Sequence, residues 1–264
     1  MSIEQSVRVY GNFPIKVVTL HGGPGAPGYM APVAKTLSKN HGVLEPLQCE
    51  DTLQGQIEEL RLQINSFCEE DVVLIGSSWG ATLALLYAAE YPENISKIIL
   101  IGSCVYDAES SDELKKLRLD RMSAKTKKEY NKLLEKSANA IGKEKEKLFE
   151  KIADCLFDSD TFDPFTRDLE IIKYQPDLNK KVWEDFKVLR DEPGHLESKF
   201  IKLKIPVVNI HGEHDPHGFE SIRSFLNKSL TNIKHYHLPN CGHYPWIERA
   251  AKDDFYQILN SEIE

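Results

Sequence analysis

Asp71-Val72-Val73-Leu74-Ile75-Gly76-Ser77-Ser78-Trp79-Gly80 runs straight into Ala81-Thr82-Leu83-Ala84-Leu85-Leu86-Tyr87-Ala88-Ala89-Glu90. The first half opens as a short aliphatic run and the second is a run of good helix formers. The join between them fits Gly-x-Ser-x-Gly, a tight strand-to-helix turn that lifts a serine hydroxyl clear of a sheet. Only Ser78 fits, because a frame centred on Ser77 would need glycines where Ile75 and Trp79 stand. The glycines have a steric task. The turn is strained, and a side chain at position 76 or 80 would run into neighbouring backbone. By itself the pattern is weak; the strand before it and the helix after it make it specific.

On either side of this unit, strand-like runs alternate with helical ones, the order that builds a parallel sheet. Residues 15–20 read as a buried strand and 43–47 as a shorter one. Residues 52–67 carry Leu53, Ile57, Leu60 and Ile64 at helical spacing. The strand at 71–75 feeds the turn, and the helix at 81–90 leaves it and is stopped by Tyr91-Pro92. After a further strand at 97–101 the alternation breaks. Residues 103–200 are Lys/Glu-rich, mostly helical in character, and lack a clear strand. Sheet character resumes at 205–210 and 233–238. The expectation is an α/β core formed by 1–102 and 201–264, interrupted by a helical insertion at 103–200.

Composition narrows the function. The 264-residue chain has 41% hydrophobic and 28% charged residues, ordinary for a globular protein with a sizeable core. A formal charge of −8 argues against nucleic acid or an anionic membrane as partner, since both favour a basic face. The insertion contributes little to that charge, with 20 Lys+Arg against 22 Asp+Glu. No apolar stretch approaches the roughly 18 residues of a membrane helix, and residues 1–8 have neither a basic start nor an apolar signal core. Five scattered cysteines without Cys-x-x-Cys read as reduced thiols, so the expected location is cytoplasmic.

Parallel sheets gather ligands and catalytic groups beyond the carboxyl ends of their strands. Beyond residue 20 stands His21-Gly22-Gly23-Pro24-Gly25, whose glycines would let backbone N–H groups approach a substrate oxygen closely. Beyond residue 210 stands His211-Gly212-Glu213-His214-Asp215-Pro216, offering a carboxylate at a turn. Beyond residue 238 stands Pro239-Asn240-Cys241-Gly242-His243-Tyr244, offering an imidazole. Ser78, Asp215 and His243 thus occur in the chain order of a serine–acid–histidine triad built on such a sheet. Glu213, two residues from Asp215, and Asp107, beyond the strand at 97–101, are alternative acids.

These motifs resemble the α/β-hydrolase superfamily, which implies a mostly parallel central sheet flanked by helices. His21-Gly22-Gly23-Pro24-Gly25 together with Gly76-Ser77-Ser78-Trp79-Gly80-Ala81-Thr82-Leu83-Ala84-Leu85 is most similar to the proline iminopeptidase branch. The resemblance implies that the amides of Gly23 and Trp79 form the oxyanion hole and that the insertion is a helical cap over the site. It also implies a covalent acyl-enzyme and no cofactor. Two departures stand out. Only 14 residues precede Ile15, so the family's first one or two strands are expected to be short or missing. The insertion also lacks a recognisable acidic motif for a substrate's free amine; Asp168, Glu170 and Glu192 are the candidates.

His211, His214 and His217 recur every third residue, and His235 and His237 lie on one strand face, so a metal site must be weighed. Three-residue spacing around a strand end does not converge three rings, and Pro216 opposes a helix there. No metal is expected. His21 reads as a brace for its loop, and Cys104 and Cys241 as buried inert thiols. Three functions remain open. The first is a hydrolase acting on an ester or amide of a small molecule, and the second an aminopeptidase of the proline iminopeptidase type acting on short peptides. The third is a non-catalytic binding module on a hydrolase scaffold. The oligomeric state has no signature in the sequence.

Overall fold

The computed structural model describes residues 3–264. Seven strands form one sheet: β1 (Val7–Tyr10), β2 (Ile15–Leu20), β3 (Gly42–Pro46), β4 (Val72–Ser77), β5 (Ile95–Ile101), β6 (Val207–Gly212) and β7 (Ile233–Leu238). Their spatial order is β1-β3-β2-β4-β5-β6-β7, and every pairing is parallel except β1 with β3. The strand reversal between β3, β2 and β4 puts the mouth of the sheet beside the 21–25 loop and the turn after β4, where an open α/β sheet collects its ligands.

The central strands are buried on both faces, so they are largely apolar and their alternation sorts side chains into two cores. Leu74, Ile98 and Leu100 face one way and pack with Ile57, Leu60 and Ile64 of helix α2 (Leu53–Phe67), Leu83 and Leu86 of α3 (Trp79–Glu90), and Ile222 and Leu226 of a later helix. Val73, Ile75, Ile99 and Ile101 face the other way. They pack with Val33 and Leu37 of α1 (Ala31–Leu37) and with Phe255 and Leu259 near the C-terminus.

Most expected elements are present, with boundaries displaced for local reasons. β6 begins at Val207, not at 205, because Pro206 has no N–H for the ladder; its carbonyl instead accepts from the Ile98 amide at 3.0 Å. The helix after the turn begins at Trp79, so the turn is tighter than the helix-former run suggests. β1 is the element the sequence left unassigned. It is four residues long, lies at the sheet edge and is antiparallel to β3.

Between β5 and β6 the chain leaves the sheet as a helical insert: α4 (Ala108–Arg121), α5 (Ala124–Ser137), α6 (Gly142–Asp160), α7 (Pro176–Asp191) and α8 (His195–Phe200). Asp107 and Ser123 cap α4 and α5 by accepting from the Ser110 and Thr126 amides. Residues 161–175 are a non-helical link, with one isolated antiparallel bridge from Pro164 to Glu248. The chain then returns to the sheet and adds α9 (Phe219–Ser229) and α10 (Lys252–Ile263). Among the described residues no helix is long and apolar enough to cross a membrane.

Candidate active site

Ser78 is the residue between β4 and α3, and its backbone lies at φ 54°, ψ −118°, where a side chain is strained. The turn survives because its neighbours are glycines. A Cβ on Gly76 would lie 2.1 Å from the Gly80 carbonyl oxygen, and one on Gly80 would lie 2.2 Å from that of Leu20. The Ser78 amide donates to the Ile101 carbonyl at 2.9 Å, pinning the turn to the end of β5. Its Oγ lies 4.0 Å from Cys104 Sγ, and burial pushes that thiol's pKa up, which agrees with an inert cysteine.

Asp215 and His243 come together beyond β6 and β7. The carboxylate Oδ2 accepts from His243 Nδ1 at 2.7 Å, and both residues are buried. A carboxylate on Nδ1 fixes the tautomer, so Nε2 is the basic nitrogen of His243. The other acids go elsewhere. Asp107 caps α4 and accepts from Ser110 Oγ as well, while Glu213 accepts from the Asn240 amide at 3.3 Å. Burial alone would raise Asp215, but His243, His217 and His211 around it hold its carboxyl well below the usual carboxylate range.

Gly102, at the end of β5, leaves space for this pair. A Cβ there would lie 2.9 Å from both Asp215 Oδ2 and His243 Nδ1, and the residue sits at φ +50°. Gly102→Ala is therefore expected to push the pair out of register and to slow reaction of the site on the order of 10²-fold, as a misplacement of about 1 Å does. Labelling rates with a fluorophosphonate measure this; an unchanged rate would show that the pair tolerates the displacement.

The 21–25 loop forms the opposite wall. A Cβ on Gly22 would meet Tyr29 Oη at 2.4 Å and Ser78 Cβ at 2.9 Å, so this backbone abuts the serine. His21 is buried with its ring against the Gly22 carbonyl at 2.8 Å, a bracing contact. The insert holds the loop from above: Trp183 Nε1 donates to the Gly23 carbonyl at 3.1 Å and Asn179 Nδ2 to the Pro24 carbonyl at 2.7 Å. Trp79 is the first residue of α3, where an amide has no intrahelical acceptor. Its indole donates to Gln56 Oε1 at 2.8 Å and packs edge-on against Trp183 and Phe186.

Ser78, His243 and Gly23 line one cavity of about 810 Å³ between the sheet and the insert. Tyr29, Leu114, Phe157, Tyr174 and Trp183 supply much of its apolar wall, and Arg118 and Asp160 lie within it. Asp168 also lines the cavity. The other two candidates for holding an amine point to other partners: Glu170 pairs with Lys35, and Glu192 with His195.

Three residues of this region carry no motif in the sequence. Asp160, at the end of α6, accepts both Arg118 Nε and Nη2, at 2.6 and 2.7 Å, while its carbonyl accepts the His243 amide at 2.7 Å. Glu248 is fully buried and accepts from the Gly242, Phe162 and Asp163 amides. His217 joins Asp215 and stacks on His243. Only the last has a foothold in the sequence, as one of three recurring histidines.

The recurring histidines do not converge as a set. His214 packs edge-on against Phe162, and its carbonyl accepts from Arg121. Asp215, His217 and His243 do bring ligand atoms within 4.8 Å of one another. However, the His217 and His243 rings lie nearly parallel, 4.2 Å apart, with both Nδ1 atoms bonded to Asp215. Rings stacked this way cannot both aim in-plane lone pairs at one ion, so the trio does not fit a metal.

Comparison with known proteins agrees with this architecture. Over 120 residues the chain is 32% identical to a proline iminopeptidase of Heyndrickxia coagulans, a match spanning 39% of this chain and 42% of that protein. The chain thus spans less than half the length of this first curated relative. A proline iminopeptidase of Lactobacillus delbrueckii subsp. bulgaricus is 26% identical over 93% of this chain and 88% of its own length. Among solved structures, a proline iminopeptidase of Mycobacterium smegmatis superposes with TM-score 0.65 at 17% identity, covering 97% of this chain and 93% of that one. An esterase of Exiguobacterium antarcticum superposes with TM-score 0.64 at 18% identity, covering 97% and 94%. At such identities these two structures speak for the fold alone. The family model described as the alpha/beta hydrolase fold matches residues 52–250, from α2 through the His243 loop, and the chain belongs to that family.

Proposed function

We propose that this protein is a serine hydrolase that cleaves an ester or amide bond of a small substrate. The observation that carries the reading is the buried Asp215–His243 hydrogen bond of 2.7 Å, opening on the cavity that Ser78 lines from its strained turn. A neutral serine is a poor nucleophile, so His243 Nε2 takes the proton as Ser78 Oγ attacks the carbonyl carbon. Asp215 keeps the ring in the working tautomer and stabilises the imidazolium. The amides of Gly23 and Trp79 stabilise the oxyanion, each at about 3–4 kcal/mol by analogy with other hydrolases. His243 then protonates the leaving group, and water releases the acyl-enzyme. Residues 103–200 act as the cap that excludes water and selects the substrate.

The relatives named proline iminopeptidase favour a second reading, an aminopeptidase. In that case Asp168, the candidate acid lining the cavity, holds the substrate's free amine. A panel of p-nitrophenyl esters and aminoacyl-naphthylamides separates the two. Turnover of esters alone supports the first reading. Turnover of the naphthylamides supports the second, and Asp168→Asn should then raise KM for free-amine substrates on the order of tenfold, the loss of one charge-assisted hydrogen bond, while sparing simple esters. Equal losses on both substrate types remove the amine-binding role. A chain that turns over neither class and takes no serine-directed probe would be the binding module.

A further inference from the structure

One buried imidazole at this site has no part in the proposed chemistry. His217 is 6% exposed, lines the cavity and stands two residues beyond Asp215. Its Nδ1 donates to Asp215 Oδ1 at 2.7 Å, and its own backbone amide donates to the same oxygen at 3.0 Å. His243 takes the other oxygen. The two rings stack with centroids 4.2 Å apart and planes 18° from parallel. One carboxylate therefore serves two imidazoles, one on each oxygen.

We infer that His217 is a positioning residue for the Ser78–His243–Asp215 triad: by occupying Oδ1 it turns Oδ2 toward His243 and draws on the carboxylate's charge, leaving His243 a weaker base than an unshared aspartate would make it. The inference rests on reading those three residues as a triad. A rotating carboxylate could offer His243 either oxygen; one held by two donors on Oδ1 has a single orientation. Hydrogen bonds to the charged form also spread its charge, so a neighbouring imidazolium gains less from it.

The surroundings suit a neutral His217. Burial lowers its pKa against the pull of Asp215, and His243 and Arg118 push the same way. The other groups that face this cluster are His211 of β6, with Nε2 3.6 Å from Oδ2, His214 beyond it, Arg118 and Arg121 of α4, Asp160 of α6, Tyr29 before α1, Cys104 after β5, Cys241 after β7, and Tyr244, whose ring meets His243 edge-on at 4.9 Å. His211 is itself kept neutral, lowered to about 4 chiefly by burial. When His243 takes up the serine proton, its stacked neighbour is thus an uncharged ring.

The test compares His217→Ala, which removes the side-chain donor and leaves the backbone one, with His217→Asn, which keeps a side-chain N–H within reach of Oδ1 and cannot titrate. Two readouts are taken on the full chain: the NMR titration of the His243 ring without substrate, and the pH dependence of labelling by a fluorophosphonate. In the Ala variant the His243 titration should move to higher pH, because a carboxylate no longer shared with a second imidazole favours the imidazolium more strongly. The acidic limb of labelling should move to higher pH with it, since the base must be neutral to act. Labelling above that limb should slow on the order of tenfold, because Oδ1 keeps only the backbone amide of residue 217 and the carboxylate is held less firmly. The Asn variant should restore most of the rate and return the limb. A folded Ala variant with an unmoved His243 titration, or an Asn variant no better than Ala, overturns the inference. Should the Ala variant not fold, the Asn variant decides alone: a native-like His243 titration supports the role and a raised one overturns it. Failure of the native chain to label at all counts against the triad, and the His243 titration then decides for His217 by itself.

Discussion

Ser78→Ala is expected to abolish covalent labelling by a fluorophosphonate and to lower turnover of any accepted ester or amide on the order of 10⁶-fold, as loss of the nucleophile does in other serine hydrolases. That corresponds to about 8 kcal/mol of transition-state stabilisation. Folding should be little affected. The hydroxyl caps no amide of α3, and Cys104 Sγ, 4.0 Å away, is too weak a partner for its loss to matter to the fold. The strain at φ 54° is a backbone property that alanine inherits unchanged. A thermal melt beside the labelling gel separates lost chemistry from lost structure. Labelling that persists in Ser78→Ala and disappears in Ser77→Ala would mean that the frame of the turn has been misassigned.

Asp215→Asn should lower kcat by about 10⁴-fold while leaving the cavity intact, because an amide facing Nδ1 can donate and so stabilises the wrong tautomer of His243. The geometry also says which substitutions should matter far less. Asp107 is committed to capping α4, so Asp107→Asn should cost about 1 kcal/mol of stability or less, with little effect on rate. Glu213→Gln touches only a loop amide. Single-turnover rates for the three variants, measured with one activated ester, rank the acids directly. A larger loss in Asp107→Asn than in Asp215→Asn would contradict the assignment drawn from the hydrogen bonds.

The parts of this molecule legible in the sequence are those where local chemistry and the global fold make the same demand. Gly76 and Gly80 are required by a turn that no other residue could close, and they stand at a strand–helix junction visible from hydropathy alone. The strands at 15–20 and 233–238 were readable because they are apolar or alternate and are flanked by turn residues. β1 was not, since four residues at a sheet edge carry no periodicity and owe their conformation to β3. Pro206 displaces by two residues a boundary that hydropathy places at 205.

The site divides in the same way. Ser78, Asp215 and His243 stand out because each ends a strand in a stretch of glycines and polar residues. Asp160, Arg118 and Glu248 do not, because each acts on a partner far away in sequence: Arg118 meets Asp160 across 42 residues, and Glu248 reaches Phe162 across 86. An isolated carboxylate in a Lys/Glu-rich helix looks like every other one until the fold supplies its partner. His217 draws notice in the sequence only through a three-residue recurrence that does not converge on a metal; what defines it is the carboxylate two positions earlier.

The hydrogen bonds from the His243 amide to the Asp160 carbonyl, and from the Gly242, Phe162 and Asp163 amides to the Glu248 carboxylate, bear on how this scaffold could diversify. The insert is not an interchangeable module. A chimera that exchanged 103–200 for the corresponding stretch of a relative would keep the histidine loop anchored only where the new backbone brings a carbonyl to His243 and amides to Glu248 at the same places. Recombination confined to the α5–α6 hairpin is a different case, since α5 rests chiefly on α6 and reaches little of the core. Breakpoints within that hairpin leave Arg118, Asp160 and the link after α6 native. Variation in lineages of this protein should accordingly be freest at the hairpin tip around Ile141, which is 82% exposed, and most restrained within a few residues of Asp160.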